Sequence, residues 1–129
     1  NLTLLANAAL PMRAVRGLGR RAAEAEAHLW LSRAGLEGCA DRRPHTLDPV
    51  GRWLGALART AACRPAIWLV DRPPASLSPE EAERALALVA EALAPEDTFI
   101  AVDGPDGWVR SVDTFCHLSE GQLRPGSAP

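Results

Sequence analysis

Arg64-Pro65-Ala66-Ile67-Trp68-Leu69-Val70-Asp71-Arg72-Pro73-Pro74 is the stretch that decides the fold. Residues 66–70 form an apolar run with no polar interruption, and the run ends on a carboxylate. It does not alternate, so it predicts a strand buried on both faces, as in a parallel sheet. Pro65 stops a helix arriving from one side, and Pro73 and Pro74 force a loop on the other.

Downstream, Ser78-Pro79-Glu80-Glu81 is a capping box with proline in the first turn, a strong helix start. Ala82, Ala85, Leu86, Val89 and Leu93 repeat at helical spacing, and Pro95 ends the helix. Residues 98–102 make a second apolar strand that also runs into a carboxylate, Asp103. Gly104, Pro105 and Gly107 predict a loop, 107–112 a short helix and 114–118 a third strand. Glu120-Gly121 reads as a hairpin-like turn, and 124–129 as a disordered tail.

Upstream of the strand, Asp48 suits an N-cap and Pro49 the first helical position. That helix runs to about Cys63 with Leu54, Leu57, Ala58 and Ala61 on one face. Residues 38–46 are polar and break the pattern. A further helix covers 20–34, with Ala23, Ala27, Trp30, Leu31 and Ala34 on its apolar face and Gly35 as its stop. Residues 1–12 read as an extended or loosely helical opening segment that ends in Leu10-Pro11. The alternation of helices and strands is an α/β pattern with parallel strands. Function in such sheets sits at the carboxyl ends of the strands, where Asp71 and Asp103 both lie.

Composition narrows the chemistry. The 129 residues are 47% hydrophobic and 23% charged, which excludes a wholly disordered chain. No apolar run is long enough to span a membrane, and no secretory leader opens the chain. A net charge of −2 carries no electrostatic footprint for nucleic acid. All 14 basic residues are Arg, so chemistry that needs a lysine, including that of a phosphate-binding P-loop, is excluded from this chain. Cys39, Cys63 and Cys116 form no C-x-x-C pair and read as reduced thiols of a cytoplasmic protein. Asn1 stands where a start methionine would, which suggests a trimmed or partial chain. The four tryptophans read as core or interface anchors.

Pro44-His45-Thr46-Leu47, Leu57-Ala58-Arg59, Arg64-Pro65, Leu69-Val70-Asp71-Arg72-Pro73 and Leu77 together resemble the second half of an ABC transporter nucleotide-binding domain. In that family the stretch runs from the signature motif through Walker B to the D-loop. Asn1-Leu2-Thr3-Leu4-Leu5 and Asn7-Ala8-Ala9-Leu10-Pro11 are similar to the segment after the Q-loop, in the manner of lipid- or lipoprotein-handling types. Asp113 and Leu118-Ser119-Glu120-Gly121-Gln122-Leu123 are similar to the closing strand. The likeness covers almost the whole chain and lies in many aligned positions.

Departures from the family pattern fall on its chemistry. The signature L-S-G-G-Q stands here as Leu47-Asp48-Pro49-Val50-Gly51. In the family, hydroxyl and amide groups at this helix start meet the γ-phosphate of ATP held by the opposite subunit. Asp48 adds a negative charge, Pro49 removes a donor and Val50 adds bulk. Asp71 matches the Walker B aspartate, which implies a water-mediated Mg²⁺ contact. The catalytic glutamate position is Arg72, and a guanidinium cannot accept a proton at neutral pH. The D-loop aspartate position is Ser78, the switch histidine position is Asp103, and the chain contains no Walker A loop.

The resemblance therefore implies a partial P-loop NTPase core of ABC ATPase type, with parallel strands and a helical subdomain. Residues 1–64 would hold the opening segment and the helical subdomain, 65–123 the second half of the core, and 124–129 the tail. The implied function is a degenerate ATP-binding-cassette subunit, cytoplasmic and peripheral to the inner membrane face. Its implied partners are membrane permease subunits and a second nucleotide-binding subunit, and nucleic acid is not among them. No catalytic residue remains, Asp48 and Gly51 mark the altered signature, and Asp71 is the metal candidate. The chain alone binds no cofactor; ATP and Mg²⁺ enter if a P-loop lies upstream. Two alternatives stay open: a transport ATPase completed by that upstream P-loop, and a non-transport interaction module that reuses the fold. Opposite charges at neighbouring strand ends also predict an Arg72–Asp103 ion pair.

Overall fold

The computed structural model describes residues 2–102 and 112–126. Helix α1, Leu4–Val15, opens the chain, capped by the Thr3 hydroxyl, which accepts from the Ala6 amide. The helix continues through Pro11, where the sequence predicted the end of a looser segment. An internal proline costs about 3 kcal/mol. Here Leu4, Ala8, Ala9 and Met12 are buried along one side, and their burial offsets that cost.

Helix α2, Arg20–Arg33, buries Ala23, Ala27, Trp30 and Leu31, the face read from the spacing. Its end is a Schellman closure: Leu36 N–H donates to Leu31 O and Gly35 N–H to Ser32 O, both at 2.8 Å. Gly35 takes φ +72°, and a side chain there would collide with the Arg84 guanidinium. Two short 3₁₀ turns, Glu37–Cys39 and Pro44–Thr46, carry the chain to α3, Pro49–Cys63. Loop carbonyls receive the first amides of α1: Leu4 N–H donates to Arg42 O at 2.7 Å and Leu5 N–H to Ala40 O at 3.0 Å. Helix α3 packs closely on α1 at Gly55, where an added Cβ would lie 2.8 Å from Leu4 Cδ1.

Arg64 caps α3 in the left-handed conformation (φ +49°) and turns the chain into strand β1, Ile67–Asp71. Helix α4, Pro79–Ala92, starts on the predicted capping box: Glu81 N–H donates to Ser78 Oγ, and Ser78 N–H to Glu81 Oε2. Strand β2, Thr98–Val102, then pairs parallel with β1, Ile67 opposite Thr98 and Asp71 opposite Val102. The parallel α/β arrangement with a helical layer is the predicted fold class.

The expectation of burial on both faces of β1 does not hold. Trp68 and Val70 are buried, whereas Ile67 is 62% and Leu69 74% exposed. On β2, Ile100 and Val102 are exposed as well, so one sheet face packs on the helices and the other lies open and aliphatic. The run is apolar on both faces, but among the described residues only one face has a partner. Trp68 is fully buried with its indole N–H unpaired among the described residues, a cost of about 1–3 kcal/mol that its packing must exceed.

Strand β3, Phe115–Ser119, pairs antiparallel with β4, Gln122–Gly126, in a separate two-stranded sheet, and does not join β1–β2. The turn is the predicted Glu120-Gly121, both at positive φ, the twist that two-residue hairpins favour. Arg124, Pro125 and Gly126 belong to β4, which corrects the expectation of a disordered tail from 124. Backbone pairing to Phe115, Cys116 and His117 orders them where composition alone suggested a free end. The predicted short helix at 107–112 lies outside the described residues except for Val112, which is not helical.

An ion-pair cluster ties the helices together. Arg16, at the end of α1, donates to Glu26 Oε1 of α2 at 2.7 Å and to Ala62 O of α3 at 2.8 Å. Arg64 Nη2 stands 3.6 Å from the same Glu26 oxygen. The hydrogen bond from Arg16 holds the Glu26 carboxyl below its ordinary value of 4.5. A depressed folded pKa means that this stabilisation is complete above that ordinary value and is lost as pH falls through the folded one. Glu26→Gln should cost about 1 kcal/mol at neutral pH and should abolish that part of the acid sensitivity. Urea melts of both proteins at neutral and acid pH check this; an equal acid-induced loss in the variant would contradict it.

Candidate functional site

Strand β1 carries Asp71 to its carboxyl end, where the side chain is exposed. The parallel ladder continues one step further, because Arg72 N–H donates to Val102 O at 2.9 Å. Arg72 nevertheless adopts φ +37°, a conformation that costs a residue with a Cβ about 1–2 kcal/mol. This puts a sharp turn directly after the carboxylate and leaves the Arg72 side chain exposed. Asp103 lies outside the described residues, and so does the expected Arg72–Asp103 ion pair.

The second predicted element is the start of α3. Asp48 is the N-cap, and its Oδ1 accepts the Gly51 amide at 2.7 Å. Its backbone carbonyl accepts the Arg52 amide at 3.0 Å. Pro49, at the first helical position, has no N–H to offer. Val50 and Gly51 are buried, and Asp48 is exposed. A helix N-terminus attracts an anion through its free amides and its positive end. Here a carboxylate of the chain itself already accepts one amide, and a second amide is missing. A phosphate arriving at this helix start meets a like charge and fewer donors.

Among the described residues, no three His, Cys, Asp or Glu side chains cluster in a metal-binding arrangement. Asp71 stands exposed at the end of β1, outside any such cluster among the described residues. No helix of the described residues is long and apolar enough to cross a membrane.

The sequence reading missed two features. The backbone strain at Arg72 has no signal in a residue type that normally avoids left-handed conformations. The Arg16–Glu26–Ala62 clamp joins partners 10 and 46 residues apart in sequence, and no short pattern announces it. Of the neighbouring arginines, Arg20 pairs with Glu24 at 2.8 Å in an exposed bridge one helical turn long.

No family model matches the chain. It is 41% identical over 88 residues to the lipoprotein-releasing system ATP-binding protein LolD of Koribacter versatilis, a match that takes in 68% of this chain and 39% of that protein. Against the LolD of Hahella chejuensis it is 33% identical over 120 residues, 92% of this chain and 52% of that protein. The chain thus spans about half or less of the length of these curated relatives, and it matches their C-terminal parts. Among solved structures, an inward-facing putative metal-chelate type ABC transporter matches with a TM-score of 0.72 over 97% of this chain and 52% of that one. At 16% identity, that match establishes the fold alone.

The cap at Asp48 is directly testable. Asp48→Ala should destabilise the protein by about 1 kcal/mol, whereas Asp48→Ser, which keeps an acceptor for the Gly51 amide, should stay close to the parent. Chemical denaturation of the two variants measures this. Equal losses would show that the carboxylate, rather than the cap, is what the helix start requires.

Proposed function

We propose, from the premise that this chain carries the second half of an ABC-type ATP-binding subunit, that it serves a membrane transporter as a structural or regulatory half without independent ATP hydrolysis. The observation that carries the reading is the 2.7 Å hydrogen bond from the Gly51 amide to Asp48 Oδ1. The anion seat of the signature helix is taken by the chain's own carboxylate. Arg72, at the position of the general base, supports the same reading, because a guanidinium neither accepts a proton nor orients an attacking water as a carboxylate does.

The proposed layout has residues 1–64 as the helical subdomain and 65–123 as the second half of the core, and the hairpin β3–β4 extends that part to Gly126. The open aliphatic face of β1–β2 is where the first half of the core would pack. Permease subunits and a second nucleotide-binding subunit are the proposed partners, at the cytoplasmic face of a membrane. Lipoprotein release is the transport class that the two named sequence relatives favour. Nucleic acid has no place in this assembly, given the net charge of −2.

A second reading rests on Asp71. Its exposed carboxylate at the strand end is suited to Mg²⁺ held through water, so a P-loop supplied from elsewhere in the protein would restore nucleotide binding at a composite site. In that case ATP and Mg²⁺ are the cofactors. Asp71 would then position the ion, and Arg72 would offer charge to a phosphate without providing a base.

The purified chain should show no ATPase activity above a protein-free control. Turnover that disappears on Asp71→Asn would overturn the first reading. Turnover that appears only when the P-loop-bearing half is added, and is lost on Asp71→Asn, would establish the second.

A further inference from the structure

Helix α3 carries Arg52 and Arg59 on its outer side, seven residues apart. Both line a groove between α1, the turn at Pro44 and α3, whose floor includes Gly55 and Ala56. Each guanidinium makes one hydrogen bond to a neutral oxygen: Arg52 Nη1 to Leu47 O at 2.7 Å and Arg59 Nη1 to Asn7 Oδ1 at 2.9 Å. Among the described residues neither forms an ion pair, although Arg16, Arg20, Arg33 and Arg64 each do. A guanidinium has five N–H donors, so most of each fork remains available.

We propose that this groove docks an acidic helix of a partner protein, with carboxylates at positions i and i+7 facing Arg52 and Arg59. Seven residues of α-helix rise about 10.5 Å, so the two side chains leave the helix that far apart along its axis, and each guanidinium is held on a different oxygen, Leu47 O and Asn7 Oδ1. The two cations match two carboxylates at the same spacing, and each planar fork can take a carboxylate through two hydrogen bonds. Between them, Ala56 is exposed and carries only a methyl group, so a partner's helix can come close there, while Gly55 lies buried beneath it against Leu4. This docking needs neither nucleotide nor a second copy of the chain, so it stands or falls separately from the reading of the ATP site.

The test is fluorescence anisotropy of the full chain with a labelled alanine-based helical peptide that bears two glutamates seven residues apart. Saturable binding that weakens with salt is expected. It should fall about tenfold, or about 1.4 kcal/mol, for Arg52→Gln and for a peptide with both glutamates changed to glutamine. Ala56→Glu, an exposed position whose side chain takes part in neither arginine hydrogen bond, should weaken binding as much while leaving the helical circular dichroism intact. Equal binding of the glutamine peptide would overturn the proposal, and so would binding indifferent to Arg52→Gln and Ala56→Glu. Arg52-dependent binding to phosphatidylglycerol vesicles without peptide binding would assign the groove to a lipid surface and overturn it equally.

Discussion

Trp68 and Val70 enter a core built by helices, while Ile67 and Leu69, their neighbours on the same strand, stand 62% and 74% exposed. A β-strand alternates its faces at every residue, so a strand apolar throughout must find cover on both sides. Helices cover one side here. The indole of Trp68 fills the space beneath the sheet at 0% exposure, and Phe99 and Ala101 of β2 pack against the same core. The parallel pairing of β1 with β2 is fixed by this inner face, because a one-residue slip would turn Trp68 outward. The outer face has no comparable restraint among the described residues.

The position of the candidate site follows from that pairing. Parallel register brings the ends of β1 and β2 level, so Asp71 and Val102 face each other, and the Arg72 amide closes the last rung of the ladder. The strained backbone at Arg72 is tolerated because that rung and the following prolines hold the turn on both sides. At the other element, the start of α3 is held from within the chain by Asp48. The helix gains a stable start from this bond, and the Gly51 amide is then already engaged by a carboxylate of the chain. The proposed loss of anion binding at that helix start thus rests on the same 2.7 Å hydrogen bond that caps the helix.

Local rules made much of this legible. Asp48-Pro49 and Ser78-Pro79-Glu80-Glu81 state their helix starts in the sequence because caps depend on residues within one turn. Gly35 states a helix end for the same reason. Pro11 misled, because its cost is local while the burial of Leu4, Ala8 and Met12 that offsets it is tertiary. The run 66–70 gave the strand but not its open face, since an apolar residue does not say whether its partner is present. At Arg124 to Gly126, composition suggested a free end, and pairing with β3 decided otherwise. At the candidate site, Asp71 and the Asp48 cap were legible from type and position. The conformation of Arg72 and the hydrogen bond from Arg59 to Asn7 Oδ1 depend on neighbours distant in sequence, and no short pattern encodes them.

The central claim is that the sheet formed by β1 and β2 presents an aliphatic outer face built to be covered. Sedimentation velocity of the chain over a wide concentration range tests it most directly, because an uncovered apolar face self-associates. The account predicts a sedimentation coefficient that rises with concentration, and a return to monomer on Leu69→Glu with the helical signal unchanged. A compact monomer at every concentration, with a cooperative melt that Leu69→Glu leaves unaltered, would contradict it.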